Sequence, residues 1–93
     1  MISKRRIEEV KNAELILLLK KVRQIKVRGL SRFVREHFDN LPTWKKQYES
    51  VSNQHIGMAV GMRLRSLSDH GAIKALRKPE TEHFPTPYAY ESY

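Results

Sequence analysis

Four histidines, a Ser68-Asp69-His70 run, two glutamate pairs and a Gly57-x-x-x-Gly61 spacing are the residues from which reaction chemistry would have to come. His37, His55, His70 and His83 are scattered, and none stands three or four residues from another histidine or a suitable carboxylate on a common face, so no metal set is expected. Ser68, Asp69 and His70 are adjacent in sequence, whereas a triad needs its members to converge in space from different parts of the fold. Glu8 with Glu9, and Glu80 with Glu82, imitate paired acids, but both pairs fall in segments expected to be solvated. Gly57 and Gly61 are not followed by the Gly-Lys-Ser/Thr of a phosphate loop. With no cysteine, disulfides, thiolate zinc sites, iron–sulfur clusters and cysteine nucleophiles are also removed. The expectation is a protein without enzymatic activity and without a cofactor.

Binding chemistry is better supplied. The chain carries 18 lysines and arginines against 10 acids, a formal charge of +8. Residues 1–78 hold +11 of charge, and residues 79–93 hold three glutamates and no cation. Lys20, Lys21, Arg23, Lys26, Arg28, Arg32 and Arg35 put seven cations in sixteen positions with no acid among them. Such a run is either a solvated helix face or the footprint of a polyanion.

At 93 residues and 40% hydrophobic composition, the chain can bury one small core, so a single domain is expected over 1–93. The longest apolar run, Leu15 to Leu19, is far below the roughly 18 residues of a membrane span. Glu8, Glu9, Lys11 and Glu14 occupy the place a signal peptide would need for its apolar region. These features predict an intracellular protein of cytoplasm or nucleoid, with no membrane partner.

Residues 1–27 are expected to form a long first helix, capped by Ser3 and running from Arg6 to about Ile25. Ile7, Leu15, Leu18, Leu19, Val22 and Ile25 share its inward face. Val10, Ala13 and Leu17 fall on nearly the opposite side, at the spacing of a helix-to-helix seam. That stripe predicts a homodimer interface, unless the tail Phe84 to Tyr93 folds over it. Lys26 to Arg28 is a short strand or an extended link. Within 28–71, Leu30, Phe33, Val34 and Phe38 have helical spacing, with Ser31, Arg32, Arg35 and Glu36 outward, and Pro42 ends that helix. Thr43 is expected to cap a short segment carrying Trp44, Tyr48 and Val51. Ser52 or Asn53 starts a further helix, with Ile56, Val60, Leu64 and Leu67 inward, Gln54, Met58, Gly61 and Arg65 outward, and Gly71 as its stop. Within 72–93, Ala72 to Arg77 and Tyr88 to Tyr90 read as two strands joined by a loop over Pro79 to Pro85.

A mainly α chain closing on a small β-hairpin resembles the winged helix-turn-helix family of DNA-binding domains. The likeness is strongest from Ser52 to Tyr90, where Ile56 to Ile73 is similar to a recognition helix with its Leu67-xxx-Gly71-x-Ile73 hand-off into the wing, and Gly29 to Phe38 is similar to the supporting helix. The family's turn between these helices is short, whereas here Asp39 to Ser52 intervenes. The reading element is therefore either the helix after Ser52 or the segment Thr43 to Val51, with Lys45, Lys46 and Gln47 as its contacts.

The resemblance implies a sequence-specific binder of double-stranded DNA, a transcriptional regulator that inserts a recognition helix in the major groove. Asn53, Gln54, Met58 and Arg65 would meet bases, since amide and guanidinium groups match base edges. Met58 and Met62 are expected to be exposed, to fill gaps or to touch a thymine methyl. Lys26, Arg28, Arg32, Arg35, Lys78 and His83 would hold phosphates. Gly57 and Gly61 leave a bare flank for a phosphate backbone or a packed neighbour. Two other classes compete: a winged-helix adaptor that docks protein through Val10, Ala13 and Leu17, and an RNA binder, for which stacking aromatics are confined to the tail.

Overall fold

The computed structural model describes residues 3–78 and 87–93. Among them the order is α1 (Lys4–Val22), β1 (Gln24–Lys26), α2 (Leu30–Glu36), a 3-10 turn (Phe38–Asn40), α3 (Pro42–Tyr48), α4 (Asn53–Asp69), β2 (Lys74–Leu76) and β3 (Ala89–Glu91). The fold is mainly helical with a small antiparallel sheet. No described helix is long and apolar enough to cross a membrane.

Ser3 caps α1 by accepting the Arg6 backbone N–H, which satisfies a donor that has no partner inside the helix. The helix stops three residues before the expected end. Arg23 adopts a positive φ of 72° and closes the last turn by donating to the Leu19 carbonyl at 2.7 Å. The chain then runs extended, so the short strand lies at Gln24–Lys26 and Ile25 enters the core from a strand rather than from the helix. Ile7, expected inward, is 37% exposed, because the α1 face that meets α3 is filled by Lys11 and Glu14.

The sheet has three strands where a two-stranded hairpin was expected. β3 lies in the middle, with Ile25 opposite Tyr90 on one side and Ala75 opposite Tyr90 on the other. Tyr90 is therefore buried, while Tyr88 precedes the strand and is exposed, so the expected aromatic face reduces to one ring. The expected loop over Pro79 to Pro85 lies outside the described residues. Residues 89–91 are held in the sheet and Tyr93 is exposed, and Leu17 remains 66% exposed, so among the described residues the tail does not cover the α1 stripe.

Leu30 and Val34 of α2 pack with Ile56, Val60 and Leu64 of α4 in one core that also takes Leu15, Leu18, Leu19, Leu41, Trp44 and Ile73. α2 ends at Glu36, two residues before the expected Phe38, which instead opens the 3-10 turn. The glycine flank of α4 is the place where α2 sits. A Cβ at Gly57 would lie 3.6 Å from the Ser31 Cβ, and one at Gly61 would lie 3.7 Å from the Leu30 Cδ2. Of the two readings of that flank, a packed neighbour is the one observed. Gly71 ends α4 at φ +78°, a conformation that costs glycine nothing and other residues 1–2 kcal/mol, roughly.

Candidate nucleic-acid interface

The rotation of α4 is fixed from beneath. Ile56, Val60, Leu64 and Leu67 are buried at helical spacing, so the opposite side of the helix must face outward. Gln54, Met58, Met62, Arg65 and Asp69 form that outer ridge, and the two methionines are 57% and 71% exposed. Ser52 caps the helix by accepting the His55 backbone N–H at 3.4 Å. Asp69 puts an acid at the C-terminal end of the ridge, where it would repel a phosphate backbone.

Beside the ridge runs a cleft of about 420 Å³ lined by Val27, Gly57, Met58, Gly61, Met62, Arg65, Pro87 and Tyr90. Three separate parts of the chain meet along it: the turn after β1, the helix α4 and the approach to β3. Val27 reaches the cleft wall between exposed Lys26 and Arg28, and its N–H donates to the Tyr88 carbonyl at 2.9 Å. Arg32 is exposed on α2, next to the Ser31 that faces Gly57. The Lys78 ammonium lies 5.5 Å from the centre of the Tyr88 ring. His83, expected on the wing, lies outside the described residues.

Two of the expected contacts are engaged with the protein itself. The Arg35 guanidinium donates to the Asn53 side-chain oxygen, to the Val51 carbonyl and, at 3.3 Å, to the Glu49 carbonyl. It thereby clamps the chain between α3 and α4 and holds the Asn53 amide oxygen away from any base. Arg35→Ala should lower stability by about 2 kcal/mol, the scale of charged hydrogen bonds, while Arg32→Ala leaves the melting temperature unchanged. A thermal melt that ranks the two variants the other way would remove the clamp.

The segment Thr43 to Val51 is tied to α1 on its inner side, while Lys45, Lys46 and Gln47 are exposed. α3 begins at Pro42 with no capping side chain of its own, and Thr43 lies inside the first turn instead of capping it. The buried Glu14 carboxylate supplies the cap from α1, accepting the Thr43 N–H at 3.0 Å and the Trp44 N–H at 3.4 Å. Trp44 donates its indole N–H to the Lys11 carbonyl at 3.0 Å. The Lys11 ammonium, 3% exposed, donates to the Gln47 side-chain oxygen at 2.8 Å and lies 4.3 Å from the Trp44 ring centre. Burial pushes the Lys11 pKa below its ordinary value, and the nearby Glu8 carboxylate opposes that shift.

Glu8 is half-buried, against expectation, because Arg63 of α4 binds it while donating to Asn12 at 2.8 Å. The Arg63 hydrogen bond holds the Glu8 carboxyl below the usual carboxylate range. No pattern in the sequence distinguishes these charges from surface ones, since Glu8, Lys11 and Asn12 have the spacing of a solvated helix edge. Among the described residues, no group of three or more histidines and acids is placed to hold a metal ion.

Family models, curated proteins and solved structures yield no match to this chain. Its chemistry must be read from the ridge, the cleft and the charges around them.

Proposed function

We propose that the protein is a winged-helix binder of double-stranded DNA, a transcriptional regulator that lays α4 in a major groove. The observation that carries this reading is the α4 ridge: Gln54 and Arg65 stand outward, fixed by Ile56, Val60 and Leu64 beneath, beside a cleft whose wall residue Val27 stands between the exposed Lys26 and Arg28. Glutamine pairs bidentately with adenine and arginine with guanine in that groove. The order of elements and the strand order β1-β3-β2 also support it, with α3 as an insertion between the supporting and reading helices. α3 is the weaker reader, because the amide oxygen of Gln47 is taken by Lys11. A DNA target places the protein in the cytoplasm or nucleoid.

Base reading is tested by separating specific from general affinity. On a site selected from a random duplex pool, Gln54→Ala and Arg65→Ala should each cost about 1–3 kcal/mol, with little effect on random DNA. Arg32→Ala should weaken both DNAs alike. Equal losses on both DNAs for all three variants would mean that α4 reads no bases.

The exposed stripe Val10, Ala13 and Leu17 fits a second copy across a twofold axis, which would give a palindromic site with half-sites about one helical turn apart. The same stripe is the observation that favours an adaptor instead. Sedimentation separates the two, since Leu17→Glu converts a dimer to a folded monomer and leaves the mass of a monomeric adaptor unchanged.

A further inference from the structure

We infer that Met58 and Met62 read a pair of thymine methyl groups, two base-pair steps apart, between the bases read by Gln54 and Arg65. The inference rests on the DNA reading above and concerns the same face. Met58 and Met62 leave two apolar side chains in water on one ridge, with Gln54 one turn before and Arg65 one turn after. Arg65 on the ridge, Arg32 next to the Ser31 that faces Gly57, and the exposed Lys26 and Arg28 on either side of Val27 suit a polyanion rather than an apolar protein surface.

Within a major groove the choice of partner is narrow. Base edges there present polar donors and acceptors, and the C5-methyl of thymine is their one apolar group. A methionine pressed on a carbonyl or an amino group would strip its water and return no hydrogen bond. Pressed on a methyl, it buries apolar surface on both sides. Met58 and Met62 are four residues apart, about 6 Å along the helix, which is close to two base-pair steps of about 3.4 Å. Unbranched, polarizable side chains adapt to the exact depth of each methyl without strain in the helix. Met58 and Met62 line the cleft together with Val27 and Pro87.

The test replaces thymine by uracil at the two positions of a duplex selected from a random pool, which deletes the methyls and keeps every hydrogen-bonding group. Affinity of the full chain should fall about fourfold for each methyl and about fifteenfold for the pair. The Met58→Ala/Met62→Ala variant should bind both duplexes equally, and both changes are at exposed positions that leave the fold intact. Uracil duplexes bound as tightly as thymine duplexes would overturn the inference and leave DNA binding standing. Discrimination that persists in the double variant would overturn it as well, since the effect would then lie in the shape of the DNA. Failure to bind any duplex at 50 mM salt would remove the DNA reading itself and the methyl inference with it.

Discussion

Affinity for a duplex should fall on the order of a thousandfold as salt is raised from 50 to 200 mM, for a footprint of around six phosphates. The cause is release of condensed counterions, and each cation that replaces one adds nearly one unit to the slope of log affinity against log salt. Lys26, Arg28 and Arg32 are exposed from the end of β1 into α2, and Lys74, which pairs with Glu91 at 3.8 Å, lies on β2 with Arg77 and Lys78 just beyond it. Arg35 is absent from this set because it holds the α3–α4 connection. Removing one outer cation, as in Arg28→Ala, should reduce the slope by about one. A fluorescence titration on a random duplex gives both quantities. A slope near zero, or no binding at low salt, would defeat the proposed function and leave the adaptor reading in its place.

Trp44→Ala should be the most damaging single change to stability, at about 3–5 kcal/mol for a large buried aromatic. Small domains lose roughly 4–8 °C for each kcal/mol, so the melting temperature should drop by about 12–40 °C. More than a cavity is involved. Trp44 is buried, its indole donates to the Lys11 carbonyl, and its ring lies against the Lys11 ammonium, so the variant leaves a buried cation facing empty space. Arg63 is also near the ring, 5.7 Å from its centre, which links the loss to α4. Thermal melting followed by far-ultraviolet circular dichroism measures this directly. A shift of only a few degrees would mean that α3 is not anchored through Trp44.

The helices were legible wherever one residue type repeats on one face. Ile56, Val60, Leu64 and Leu67 mark α4 and Gly71 its stop, as the spacing predicts, and of the two candidate starts, Ser52 and Asn53, the cap is Ser52. The end of α1 was not legible, because Arg23 takes a positive φ that sequence rules reserve for glycine. Strand β1 has three residues and its partner Tyr90 lies sixty-five positions beyond Ile25, so no local alternation announces it. At the candidate interface, the outward position of Gln54, Met58 and Arg65 followed from the inward face of α4. The engagement of Arg35 with Asn53, and of Lys11 and Glu14 with α3, did not follow. Charged side chains reveal whether they face water or protein only when the neighbouring segment is in place.

β1 and β2 share no hydrogen bonds with each other, and each pairs only with the strand between them. The sheet therefore has no stable half. Should β3 detach, both flanking strands lose their partner at once, and the amides of 24–26, 74–76 and 89–91 become open to exchange as one cooperative unit. Order of assembly follows as well. The described helices and their mutual contacts lie within residues 4–69, whereas the sheet waits for the pairing of Ile25 with Tyr90, a longer closure that is slow relative to helix packing. The edge of the cleft formed by Pro87 and Tyr90 thus comes into being last, and the binding face is complete only when the whole domain is.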